Sequence, residues 1–149
     1  MIIDTLNINE VRRQIQKIKK EVPKEEIIVI SKDDDYNRKI LEMKDVDVLL
    51  LSFHNRKDKL KQRDSGLNEV FAKLAKENNI RIGLDINELK KLNKKDKSLV
   101  LSRIKQNIFL CKKIGCELTV FPKEKYNKQD IISLFLILGS DTKLARRAV

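Results

Sequence analysis

Apolar residues gather in four short unbroken runs along this chain: "EIIVIS" (26–31), "VDVLLLS" (46–52), "IRIGLDI" (80–86) and "CELTVF" (116–121). Runs without polar alternation suit parallel strands covered on both faces. Between them the spacing changes to that of a helix. Val11, Ile15, Ile18 and Val22 form one stripe ahead of the first run, with Asn7 and Glu10 placed as a capping box. A shorter helix is expected around Asn37 to Met43. Leu67, Val70, Phe71, Leu74 and Ala75 recur at i, i+3, i+4, i+7 and i+8 and predict one apolar face, with Asp64 or Ser65 as the N-cap. A long helix from about Lys97 to Lys113 turns Leu101, Ile104, Ile108 and Cys111 inward. "DIISLFLIL" and "DTKLARRAV" read as two helices hinged at Gly139, the second capped by Ser140 or Asp141.

The alternation predicts an α/β fold with about four parallel strands and flanking helices, in one domain over 1–149. A doubly wound sheet and a piece of a β/α barrel both satisfy it. A complete eight-stranded barrel takes about 250 residues, so the barrel reading is a partial one: a half TIM-like barrel. Its terminal strands would then be open edges, which folded proteins cover or pair.

Charge adds the next constraint. Lys and Arg number 33 against 22 Asp and Glu, a formal net charge of +11. Such an excess sits on the surface and selects a polyanion as partner, nucleic acid ahead of membrane. No apolar run approaches the roughly 20 residues that span a bilayer. Neither a signal peptide nor a Cys-x-x-Cys spacing is visible, so Cys111 and Cys116 are expected to be buried reduced thiols, and the compartment to be cytoplasmic.

In folds of this type chemistry sits at the carboxyl ends of the strands. Those ends carry Ser31, Lys32, Ser52, His54, Arg56, Asp85, Asn87 and Lys123, a basic set poor in carboxylates. His54 is the single histidine, so no multi-histidine metal site exists and a Ser-His-Asp triad would rest on it alone. Lys32 or Lys123 would need a desolvated pocket to form a Schiff base. Four glycines cannot make a phosphate-cradling fingerprint. The basic clusters are more telling. Lys57, Lys59, Lys61 and Arg63 lead toward one helix start, and Lys90, Lys91, Lys94, Lys95 and Lys97 toward another. Helix amino termini favour phosphate. The "RDSG" turn at 63–66 therefore stands as a helix cap, a phosphate contact or a piece of chemistry. With seven aromatic residues, most at core-facing positions, contact with RNA is expected through phosphate and shape, without an aromatic stacking platform.

"RDSGLNEVFAKLA" (63–75), "IRIGLDI", "LSRIKQNIFLCKKIGC" (101–116) and "DIISLFLILGSDTKLARRA" (130–148), in this order and spacing, resemble protein component 3 of archaeal and eukaryotic ribonuclease P. The resemblance covers roughly residues 45–149, fainter at "DDYNRKILEMKDVDVLLLS", and leaves out about the first third of a usual member. It implies a TIM-barrel-like fold and a non-catalytic, RNA-binding subunit that assembles with protein component 2 around the catalytic RNA. That RNA, with its own magnesium, removes the 5′ leader of precursor tRNA, so the protein binds no cofactor and meets precursor tRNA only indirectly. The implied RNA-facing set is Arg56, Lys57, Lys59, Lys61, Arg63, Ser65, Arg103, Lys105, Lys112 and Lys113. Glu69 stands where several relatives are expected to carry histidine. Two other classes compete on the residues alone: a small phosphoesterase or nuclease on a half-barrel, and a protein-interaction module with incidental charge.

Overall fold

Every strand runs parallel to its neighbour, and the sheet order equals the chain order: β1 (Ile2–Ile3), β2 (Ile28–Ile30), β3 (Val48–Leu51), β4 (Arg81–Asp85) and β5 (Leu118–Phe121). The computed structural model describes residues 1–149 apart from His54, Asn55, Lys59, Gln62 and Lys123. The helices are α1 (Ile8–Glu21), α2 (Asp34–Leu41), α3 (Glu69–Glu77), α4 (Glu88–Lys91), α5 (Lys94–Ile114), α6 (Lys128–Ile137) and α7 (Thr142–Arg147). When each crossover steps the same way across a sheet, right-handed connections lay all the helices on one face. A doubly wound sheet reverses its order at a switch point. This sheet never reverses, which makes it the half-barrel. The fifth strand, β1, is too short for a hydrophobic pattern to reveal; it pairs Ile2 with Ile28 and Ile3 with Val29.

Strand alternation divides the apolar residues between two faces. Ile3, Val29, Leu49, Leu51, Ile82, Leu84, Leu118 and Val120 join the helix stripes in the main core. The opposite face carries Ile28, Val48 and Leu50 with Ile30 and Phe121, all of them strand residues. Gly83 belongs to this second face. A Cβ there would lie 2.9 Å from Val48 Cγ1 and 3.1 Å from the Leu50 backbone. We expect Gly83→Ala to lower unfolding stability by about 1–3 kcal/mol through overpacking, seen as a lower urea midpoint. A midpoint at or above wild type would contradict that packing.

All seven of these helices begin at an Asn or Asp, and in six of them the cap residue (Asn7, Asp33, Asn68, Asn93, Asn127 and Asp141) accepts a hydrogen bond from an amide two or three residues ahead. Each such cap is worth about 1 kcal/mol. These caps correct several sequence-derived boundaries. Asn68 caps α3 in place of Asp64 or Ser65, so Leu67 precedes the helix and Val70 points to solvent. Asn93 caps α5, which puts Lys94, Lys95 and Lys97 inside its first turn and not ahead of it. At the sheet edge, Val120 N–H donates to the Ala148 carbonyl at 3.0 Å, and Arg147 pairs with Glu117 at 3.1 Å. The chain's last helix thus covers part of β5. Among the described residues, no helix is long and apolar enough to cross a membrane.

Candidate nucleic-acid interface

The segment between β3 and α3 has little regular structure, and two arginines hold it. Arg103, on α5 and only 2% exposed, donates to the Phe53 carbonyl at 2.9 Å, the Arg56 carbonyl at 2.8 Å and Asp58 Oδ1 at 3.0 Å. That same Asp58 oxygen accepts from the Asp64 amide at 2.9 Å, so Arg103 and the backbone of the turn meet at one carboxylate. Arg56 makes the second staple. It donates to the Ser52 carbonyl and to Asp64 Oδ1, each at 2.9 Å, and to the Lys32 carbonyl at 3.4 Å. A guanidinium suits both places because its planar fork addresses several oxygens at once.

The "RDSG" turn is built around Arg56. Asp64 Oδ1 accepts the Gly66 amide at 2.9 Å, closing a local turn. Gly66 has φ +77, and a Cβ on it would fall 2.7 Å from Arg56 Cζ. Backbone conformation and lack of space therefore both call for glycine. Ser65 is 1% exposed; its hydroxyl donates to the Leu67 carbonyl at 3.1 Å, and its own carbonyl accepts from Asn107 Nδ2 at 3.2 Å.

Asp58 is held below the usual carboxylate range by the Asp64 amide first, and then by the Arg103 guanidinium. A carboxyl whose folded pKa is depressed contributes stability above its unfolded pKa and loses it as pH falls through the folded value. We expect the melting-temperature gap between wild type and Asp58→Asn to be widest near neutrality and to shrink below about pH 4. A gap independent of pH would contradict the ionised role of Asp58.

The expected RNA-facing residues separate into three groups. Arg103 and Ser65 lie inside the protein, and Arg56 is largely covered and engaged in the staple. Arg103 thus acts from behind the surface and Arg56 is taken up by the staple, while Ser65, although buried, borders the groove between the turn and α5. Lys57, Lys61 and Arg63 are exposed on the stapled segment, while Lys105, Lys112 and Lys113 are exposed on α5. Lys113 pairs with Glu69, which lowers the Glu69 pKa, so the residue at the expected histidine position ties α3 to α5. Lys59 lies outside the described residues.

Between the turn and α5 runs a groove of about 890 Å³ whose lining includes Arg63, Leu67, Lys105, Gln106 and Phe109. Phe109 is 63% exposed. The expectation that aromatic residues serve the core passes over it. Its position provides the missing signal: the inward stripe of α5 runs through Val100, Ile104, Ile108 and Cys111, and Phe109 falls off that stripe.

At the carboxyl ends of the strands, the polar groups are bound to structural partners. Lys32 pairs with Asp4, Ser52 Oγ donates to Glu88 at 3.3 Å, and Ser31 Oγ accepts the Ser52 amide at 3.1 Å. Asp85 accepts the Asn87 amide at 2.9 Å, and Asn87 Oδ1 accepts the Tyr126 hydroxyl at 2.8 Å. His54 and Lys123 lie outside the described residues. Among the described residues, no group of three or more His, Cys, Asp or Glu is placed to hold a metal ion. Cys111 and Cys116 are free, buried thiols in mutual contact, and that contact together with burial pushes the Cys111 thiol up.

No family model matches the chain. Curated proteins do match. Ribonuclease P protein component 3 of Methanococcus maripaludis strain C6 is 34% identical over 111 residues, 74% of this chain and 44% of the relative. The protein of the same name from Methanococcus vannielii is 34% identical over 107 residues, 72% of this chain and 43% of the relative. The chain thus spans less than half the length of these curated relatives. Among solved structures, a chain in the cryo-EM structure of archaeal ribonuclease P with mature tRNA aligns with 99% of this chain and 62% of its own length, at a TM-score of 0.81 and 22% identity. That likeness shows the fold.

Proposed function

The chain belongs to the ribonuclease P protein component 3 family, and from that premise we propose that it is a non-catalytic, RNA-binding subunit of ribonuclease P. In this reading it assists a catalytic RNA in removing the 5′ leader from precursor tRNA, with protein component 2 as its protein partner. Magnesium belongs to that RNA, and no metal is assigned to the protein.

One observation carries the proposal: Lys57, Lys61 and Arg63 stand exposed on a segment that two arginine–aspartate pairs fix in place. Pinning Asp58 and Asp64 lowers the entropic cost of presenting the exposed cations beside them to a phosphate backbone. The carboxylates nearest them are already taken, Asp64 by Arg56 and Asp58 by Arg103. The phosphoesterase alternative would have to rest on the Ser52–Glu88 pair, whose carboxylate also accepts the Phe53 amide at 3.1 Å, and among the described residues no metal-binding cluster accompanies it.

Titrating the protein with ribonuclease P RNA at several salt concentrations tests this reading. A steep linear fall of log K with log salt is the expected result, since bound lysines and arginines release counterions from RNA. Absence of binding at low salt would contradict it.

A further inference from the structure

We infer that Phe109 is a stacking platform for an unpaired nucleobase, which gives the proposed RNA surface a single-stranded subsite in the groove between the 63–69 turn and α5. The inference rests on the RNA-binding reading and adds a kind of contact that the basic residues alone do not provide.

Four observations converge. Phe109 is the most exposed aromatic side chain among the large hydrophobic residues, and it lines the groove with Arg63 and Lys105. Lys105, Phe109, Lys112 and Lys113 share one helix face at i, i+4, i+7 and i+8. The groove, at about 890 Å³, has room for a nucleotide. Gln106 also lines it, and its amide offers both a donor and an acceptor to a base edge.

The charge around the ring favours nucleic acid over an apolar protein segment. Three carboxylates border the groove: Asp34, Asp64 and Glu69. Arg56 neutralises Asp64 and Lys113 neutralises Glu69, which leaves Arg63 and Lys105 facing Asp34, with Lys112 close by on α5. An exposed ring with cations on both sides matches a base flanked by phosphates. In A-form duplexes the bases are stacked within the helix, so a ring of this kind selects loops, bulges and ends.

The chain contains no tryptophan, so Phe109→Trp places a single fluorophore on the platform. A ten-nucleotide single-stranded RNA should quench this tryptophan, whereas inorganic polyphosphate, which binds the same cations but has no base, should leave it unquenched. Phe109→Ala should weaken the oligonucleotide about 10-fold with an unchanged salt slope, and Phe109→Tyr should restore affinity. Lys105→Ala should instead reduce the slope. Equal affinity of Phe109→Ala and wild type, or equal quenching by polyphosphate, would overturn the inference while leaving the RNA-binding reading standing. Loss of binding to protein component 2 in Phe109→Ala, with oligonucleotide affinity intact, would overturn it in favour of a protein-docking face. Wild-type protein that binds no RNA would remove the underlying reading itself.

Discussion

Arg103→Ala will lower unfolding stability by about 3 kcal/mol and release the segment that carries the basic residues. The side chain is almost fully buried and donates to two backbone carbonyls and one carboxylate from a single helix position. Alanine takes the guanidinium from all three acceptors, of which Asp58 keeps the Asp64 amide, and losing a charged donor costs more than losing a neutral one. Arg103→Lys keeps the charge but offers one tetrahedral nitrogen in place of a planar fork, so it should recover less than half of the loss. Urea unfolding reads the stability, and limited proteolysis reads new cleavage around residues 53–64. RNA affinity should fall as well, although Arg103 does not reach the surface. Wild-type stability in Arg103→Ala would contradict the staple.

Reversing the exposed charges should have the complementary outcome. The triple variant Lys57→Glu, Lys61→Glu, Arg63→Glu is expected to bind RNA on the order of 100-fold more weakly at moderate salt. Its slope of log K against log salt should drop by roughly 2 to 3, at about 0.7–0.9 per lost phosphate contact. Because all three side chains are exposed, stability should stay within about 0.5 kcal/mol of wild type. A variant that loses affinity while staying folded separates surface cations from the arginines that support them. An unchanged slope would return these residues to an ordinary solvated surface.

The sequence resolves the fold more clearly than the surface. The runs at 26–31, 46–52, 80–86 and 116–121 each contain a strand, because parallel strands buried on both faces have no polar interruption. β1 escapes because two residues carry no period. The start of α3 is misplaced because Asp64, Ser65 and Asn68 are all acceptable caps, and only the Arg56 contact shows that Asp64 is already engaged. Among the site residues, charge alone cannot tell Arg103 from Lys105. They are two positions apart on one helix and point in nearly opposite senses, one into the protein and one into solvent. Phe109 is hidden from composition for a similar reason, since a count of aromatic residues says nothing about which face of α5 each occupies.

The central claim is that this chain supports an RNA-catalysed reaction and does not catalyse one. Reconstitution with ribonuclease P RNA and protein component 2, assayed by precursor-tRNA cleavage at limiting magnesium, tests it most directly. The account predicts that adding the chain raises the cleavage rate, that omitting the RNA abolishes cleavage, and that the triple charge reversal loses most of the stimulation. No stimulation and no complex, or cleavage by the protein without RNA, would contradict it.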